Sequence, residues 1–445
     1  MISTFNIILI VIYFLVVLYI GFSARKKENE EGFLLANRKL GLFPLTGTML
    51  ASLFGGAAVV VTMGFVFEYG ISTIWAFFST TLGCFLLAAL VPKIKKLADK
   101  KKHYTFSDYF HEKYGKNVGL LISIIIFIAY FGYLLGQLIA GGIILSALTS
   151  IPYFLSVLLV GSIIIIYIFA AGFKAVVKTD VFQYIIILLL IFLSFNIFSN
   201  AKTISLSDLN LFSAGTINII GFLVYGIMIM TLGAEFWQRI YAAKSNKVAR
   251  TSLILTGAIF SFLGILVVLI GLSVKSNFPN IVPTTALVVG FQNLLSGHLL
   301  GIGLVLLFAA IMSSADTFLF VLSSSLSKDF FARFKTLSTK KLVSNTRIFT
   351  IIIGVLGILI AIVFSNIIDV VTSVVGISFA LFPATLLSFW FKLNPKAILT
   401  SVILGVLASI ITFVFAGISI ESALISFPIA LIVLLLGQLV VKLRK

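Results

Sequence analysis

The sequence predicts an all-helical polytopic membrane protein with about thirteen transmembrane helices, and three observations lead there. Of its 445 residues, 60% are apolar and only 10% charged, against roughly 45–50% and 25% in soluble domains. The apolar residues fall in long runs, most of them near the roughly 20 residues that cross a bilayer core as a helix. The charges, 32 Lys+Arg against 14 Asp+Glu, lie in short clusters between those runs. They form no basic face or arm of the kind that binds nucleic acid, and in a membrane protein such clusters mark cytoplasmic loops. A soluble enzyme, a disulfide-stapled secreted domain and a disordered chain are all excluded. The one cysteine, Cys84, has no internal partner.

The first run, 4–22, has no positive charge before it and Arg25, Lys26 and Lys27 after it. That order belongs to a retained helix with its N-terminus outside, not to a cleaved signal. The second run, 42–67, contains Gly55 and Gly56 in mid-membrane. Adjacent glycines weaken a helix, and an opened backbone is tolerated there only where it lines a cavity or holds an ion. Close helix packing is the competing reading of the same glycines and, taken by themselves, the preferred one, as it is for Gly132, Gly136, Gly297 and Gly301. The third run is 71–92. In the basic loop 93–116 that follows, Thr105-Phe-Ser-Asp-Tyr-Phe110 predicts a short interfacial helix starting at Ser107.

Runs four to eight cover 117–147, 152–172, 179–199, 215–237 and 250–273. The next stretch, broken by Pro279 and Pro283, predicts a short surface helix over 284–296. Runs nine to thirteen cover 299–326, 346–366, 368–391, 396–417 and 420–441. Alternating the loops between the two sides puts every Lys and Arg except Lys202 and Lys275 on one side. The positive-inside rule then places the N-terminus outside and the C-terminus in the cytoplasm of a cell-membrane protein. The whole chain, 1–445, reads as one transmembrane domain with no appended soluble domain.

Charge in the bilayer core is costly, so the acids there are informative. Glu68, Asp180, Glu235 and Asp316 qualify; the other acids belong to loops or helix ends, solvated or paired with neighbouring Lys and Arg. Ser313, Asp316 and Thr317, spaced i, i+3 and i+4, share one face of the ninth run. Hydroxyls and a carboxylate on one face offer hard oxygens to an alkali cation, although membrane Ser and Thr also simply bond their own helix. Asp180, at the start of the sixth run, reads equally as an ion ligand or as an acid complementing a helix dipole. Tyr130, Tyr133 and Gln137, near one face of the fourth run, read as pathway-lining or as aromatic packing.

Several segments, in order, resemble the sodium/solute symporter family over nearly the whole chain. They are Phe33-Leu-Leu-Ala-Asn-Arg-Lys-Leu-Gly41, Ala170-Ala-Gly-Phe-Lys-Ala-Val-Val-Lys-Thr-Asp-Val-Phe-Gln183, Gln238-Arg-Ile-Tyr-Ala-Ala-Lys244 with Lys247-Val-Ala-Arg250, and Ala309-Ala-Ile-Met-Ser-Ser-Ala-Asp-Thr317. The resemblance implies a LeuT-type five-plus-five inverted repeat. A leading helix (4–22) would precede repeats over 42–199 and 215–391, and two trailing helices (396–441) would follow. It also implies a sodium site from the carbonyls of Ala51, Phe54 and Ala310 and the hydroxyls of Ser313 and Ser314. A second cation would lie at Asp180, Ser313, Asp316 and Thr317. Where sugar-carrying members bear polar side chains after the first core-helix break, this chain has Ala57 and Ala58, which points to a smaller solute. Thr80, Gln137, Tyr225 and Trp237 are the remaining candidates for lining its site.

The function implied is sodium-coupled uptake of a small organic solute such as an amino acid or carboxylate, with sodium as the coupling ion and no other cofactor. The partners are the solute, sodium and the lipid bilayer. Proton-coupled symport through Asp180 or Asp316 and a transporter-like sensor are the alternatives. A membrane enzyme would need paired acids and bases or metal-ligand clusters, and none is apparent.

Overall fold

The structure, a computed structural model, describes residues 3–24, 29–149, 151–295, 297–333 and 338–443; Arg25, Lys26 and Lys27 lie outside them. Among the described residues every regular element is helical: α1 (Thr4–Ser23), α2 (Glu30–Leu35), α3 (Leu42–Leu53), α4 (Gly56–Tyr69), α5 (Ile74–Lys101), α6 (Phe106–Tyr114) and α7 (Lys116–Thr149) come first. There follow α8 (Tyr153–Leu188), α9 (Leu190–Ser199), α10 (Gly215–Leu232), α11 (Ala234–Ala242), α12 (Asn246–Asn277), α13 (Ala286–Leu294) and α14 (His298–Ser325). The last are α15 (Thr339–Val363), α16 (Ile367–Phe379), α17 (Phe382–Leu387), α18 (Pro395–Ala416), α19 (Ile420–Leu424) and α20 (Ser426–Leu443). Among the described residues ten stretches are long and apolar enough to cross a membrane, and the shorter apolar helices Leu42–Leu53, Tyr153–Phe169 and Ile367–Phe379 join them.

The short helices form where capping residues stand. The Thr105 side chain and Asp108 make a reciprocal capping box at the start of α6, one residue ahead of the expected Ser107. α13 forms in the expected stretch, after a turn of 3-10 helix at Pro283–Thr285, but it packs into the fold instead of lying on the surface: Ala286, Leu287, Val288, Gly290, Phe291 and Leu294 are buried.

Burial separates centre from periphery. In the span beginning at α14, 94% of the apolar window is buried, against 17% in the span ending at Leu443. α14 packs against α1, α3, α7, α8 and α15, which makes it the axis of the bundle. Large apolar side chains face outward instead, Phe192 at 69% and Phe415 at 84% exposed, as a lipid-facing surface requires. One end carries the basic clusters, and there Arg38 pairs with Glu31 at 2.6 Å, Lys101 with Glu112 at 2.6 Å and Arg333 with Asp108 at 2.7 Å. We call this the basic end. A parallel bridge, Leu40 N–H to the Ala242 carbonyl and Lys244 N–H to the Leu40 carbonyl, each at 3.0 Å, ties the approach to α3 to the end of α11.

Small residues set the helix spacing. A Cβ on Gly132 of α7 would stand 2.1 Å from Val374 Cγ1 of α16, and one on Gly301 would stand 2.6 Å from Asn6 Oδ1. We expect Gly132→Leu to lower stability by about 1–3 kcal/mol through overpacking, measured as thermal unfolding in detergent. Unaltered unfolding would mean that α7 and α16 do not touch there.

Candidate functional site

The site begins at a break. α3 stops because Phe54 leaves helical geometry (φ −87°, ψ 59°) and Gly55 is extended (φ −78°, ψ 149°) before α4 resumes. Side chains of α14 meet the backbone this releases. Ser313 Oγ lies 2.8 Å from the Ala51 carbonyl and 3.1 Å from that of Ala310. Ser314 Oγ donates to the Ser52 carbonyl at 2.9 Å. The approach demands glycine: a Cβ at Gly55 would stand 2.6 Å from Ser314 Oγ, and one at Gly56 would stand 2.1 Å from Ile311. The two readings of these glycines, break and close packing, are therefore both met.

Of the five residues expected at the first sodium site, the structure brings together Ala51, Ala310 and Ser313. Ser314 turns to Ser52 instead, and Phe54 is the residue at which the helix breaks. Two carbonyls and a hydroxyl, all in fully buried residues, form the kind of ligand set that unwound transporter helices offer sodium.

A second break separates α10 from α11 at Gly233 (φ −62°, ψ 100°), and every residue of α11 is buried. Here the sequence reading needs correction. Arg239, counted with the cytoplasmic loop, is fully buried. Its Nη2 lies 3.0 Å from Asp180 Oδ2, 2.6 Å from Ser52 Oγ and 2.9 Å from Thr317 Oγ1, while Nε donates to Thr48 Oγ1 at 2.9 Å. Thr48 in turn donates to Asp180, and Ser52 and Thr317 lie 3.0 Å apart. One guanidinium thus joins α3, α8, α11 and α14.

Asp180 is no dipole-complementing acid at a helix start. α8 bends at Gly172 (φ 62°, ψ −168°), about two turns earlier, where a Cβ would stand 2.6 Å from the Phe33 ring. Asp316 accepts from Thr179 Oγ1 at 3.3 Å. Asp180 and Asp316 each keep one buried oxygen, Oδ1, without a hydrogen-bond partner. The expected second cluster therefore forms in part, with Arg239 inserted between Asp180 and Thr317. Glu68 is exposed at the end of α4 away from the basic clusters and does not belong to the interior.

Between the two breaks lies a cavity with about 70 Å³ of water-sized space. Gly55, Ala57 and Ala58 line it from the first break, Gly233 and Glu235 from the second, and Tyr130, Tyr133 and Gln137 from α7. The Ala57 N–H donates to Gln137 Oε1 at 3.1 Å, and the Tyr130 hydroxyl donates to the Glu235 carboxylate. A second cavity of about 140 Å³ adjoins it; Ala58 and Tyr225 line both, and Thr80 lines the second.

Trp237 is the exception among the lining candidates. It points to the basic end, donates from Nε1 to the Thr231 carbonyl at 2.8 Å, and packs on Phe106, Tyr109 and Phe389. Ser52, Arg239 and the Tyr130–Glu235 pair are what sequence reasoning missed. The available signal was an arginine in a segment otherwise as bulky as Phe236, Trp237, Ile240 and Tyr241.

A family model described as the sodium:solute symporter family matches residues 33–405. The osmoregulated proline transporter OpuE of Bacillus subtilis (strain 168) is 26% identical over 442 residues, covering 92% of this chain and 88% of that one. The sodium/proline symporter 2 of Staphylococcus saprophyticus is 26% identical over 450 residues, covering 92% and 86%. A solved sodium-coupled sialic acid symporter superposes with a TM-score of 0.85 over 98% of each chain at 15% identity, a likeness in fold. The inward-facing structure of Mhp1 gives 0.55 over 94% of this chain and 96% of that one at 13% identity.

The Arg239–Asp180 pair generates a stability prediction. Arg239→Gln leaves a buried carboxylate without its partner and should cost about 3–5 kcal/mol, seen as a fall in thermal unfolding temperature. The double variant Asp180→Asn with Arg239→Gln should recover much of that loss. Strictly additive losses would mean the two side chains are uncoupled.

Proposed function

The chain belongs to the sodium:solute symporter family, and from that premise we propose that sodium sits where α14 meets the α3–α4 break, with the solute in the adjoining cavity. The activity is sodium-coupled uptake of a small organic solute; the chain is a transporter, not an enzyme. The contact of Ser313 Oγ with the Ala51 and Ala310 carbonyls carries the placement of the ion. Phe54 and Ser314 complete the shell once a cation draws the Ser314 hydroxyl from Ser52. The thirteen-helix count and the five-plus-five repeat follow in this reading. α3 with α4, and α10 with α11, are the two broken core helices, one opening each repeat. Proline, named for the relatives, is the first solute to test.

The interior charge supports a second cation. Asp180 and Asp316 bring two carboxylates, and Arg239 brings one guanidinium. One positive charge is still needed, and the two free Oδ1 atoms, with Ser313 and Thr317 nearby, suit a second sodium. A proton on Asp316 is the other way to supply it. The basic end is cytoplasmic in this reading, by the charge rule.

Replacing Ser313 by Ala should raise the sodium concentration for half-maximal uptake by about tenfold, the equivalent of roughly 1.4 kcal/mol, with expression preserved. Uptake measured against sodium at fixed pH reads this, and an unmoved curve would remove Ser313 from the site. Orientation has its own measurement, in a background where Cys84 is replaced. Cysteines at Lys202 and Lys275 should react with an impermeant thiol reagent on intact cells. Cysteines at Lys101 and Lys340 should react only after the membrane is opened. Labelling of Lys101 or Lys340 positions from outside would invert the topology.

A further inference from the structure

We propose that the transported solute carries a protonated amine, and that Glu235 is the residue that binds it. This rests on the cavity between the two breaks being the solute site. The two adjoining cavities are lined by one carboxylate, that of Glu235, and by no Lys, Arg or His. A solute whose only charge is negative finds no opposite side-chain charge there.

Glu235 is 4% exposed and stands in the first turn of α11, so its position is fixed by the Gly233 break rather than by a flexible loop. Tyr130 donates one hydrogen bond to it, which orients the carboxylate without neutralising it. Among the described residues no basic side chain forms an ion pair with it. Arg239, one turn on, directs its guanidinium to Asp180, Thr48, Ser52 and Thr317 and meets Glu235 only at the backbone carbonyl, 3.3 Å away. A buried carboxylate of this kind is costly unless a cation compensates it.

The walls fit the same ligand. Tyr130, Tyr133, Tyr225 and Phe318 surround the cavity, with the Tyr130 and Tyr133 ring centroids 5.8 Å apart and each ring within 5.7 Å of that of Phe318. Aromatic faces attract a cation and tolerate the carbon skeleton that carries it. Carboxylate and rings together select an ammonium on a compact apolar frame. At the first break the lining is apolar, with Ala57 and Ala58 offering no polar side chain to a polyhydroxylated solute.

The experiment is a thermal-shift panel on the purified full chain in sodium. It pairs L-proline, pyrrolidine and other small amines with their N-acetyl derivatives, and adds succinate as an anion without an amine. At least one free amine should stabilise the protein, and its N-acetyl derivative and succinate should not. Glu235→Gln should weaken the amine response by about tenfold to a hundredfold, the loss expected for a hydrogen bond to a charged group, with the stabilisation by sodium alone retained. Tyr130→Phe should weaken the response less.

The proposal is overturned if N-acetylated or anionic compounds stabilise as well as the amines, if no amine stabilises, or if Glu235→Gln binds unchanged. The comparison of free and acetylated amines on the natural sequence needs no variant, so a poorly folding Glu235→Gln does not block it. Failure of the underlying symport reading looks different. Sodium alone would then give no stabilisation, whichever solutes bind.

Discussion

A backbone opened inside a lipid bilayer persists only if protein groups satisfy what water cannot reach, and the rest of this molecule is arranged around that requirement. The chain opens at Phe54 and again at Gly233, and both openings face inward. Ser313, Ser314 and Gln137 come to the first from α14 and α7, and α11 is packed on every side to shield the second. The near-total burial of α14 follows, because it must touch the broken helix along the segment that carries the hydroxyls. Gly55 and Gly56 are needed twice over, once for the break and once because Ser314 and Ile311 come too close for any Cβ.

Charge is the second constraint. Asp180, Asp316 and Glu235 are buried, and among the described residues Arg239 is the basic side chain buried with them, since the likewise buried Lys95 turns to Asp99 at the basic end. The guanidinium is spent on Asp180 and on three hydroxyls. The interior therefore has more negative than positive groups, a condition the bilayer does not tolerate without incoming cations or protons. A coupling ion and an ammonium solute both bring the missing sign. In the proposed reading, selection for positive charge is a property of the whole interior, and the neutral oxygen set at Ser313 is the part assigned to sodium.

Much of this was legible in the sequence, and the limits have physical causes. The nine-residue motif ending at Thr317 indicated an oxygen-rich helix face, and the glycines at 55 and 56 indicated where it would meet an open backbone. Both depend on local spacing, which a sequence preserves. Arg239 was misplaced because the charge rule counts a basic residue near a run of loop charges as a loop residue. Its burial depends on the Gly233 break carrying α11 inward, toward an aspartate 59 positions earlier in the chain. Asp180 was ambiguous for a related reason: the bend falls at Gly172, so the helix start lay about two turns from where hydropathy put it. Trp237 was grouped with Tyr225 as a lining candidate on one continuous run, yet the break at Gly233 puts it in α11, where it turns toward Phe106 and Tyr109.

The two proposed binding regions are not independent, and Ser52 shows why. Its carbonyl accepts from Ser314 beside the proposed ion, its hydroxyl meets Arg239 and Thr317, and the residue itself lines the solute cavity. The proposed sodium position and the cavity share the segment from Ala51 to Ala57, which carries the opened backbone at Phe54 and Gly55. A cation that orders this segment removes part of the conformational cost a solute would otherwise meet there, and the solute does the same for the cation, since linkage between two sites is reciprocal. Coupling of that kind needs no long-range pathway. It requires only that one short stretch of chain, held by Gln137 on one side and Ser313 on the other, be ordered by both ligands.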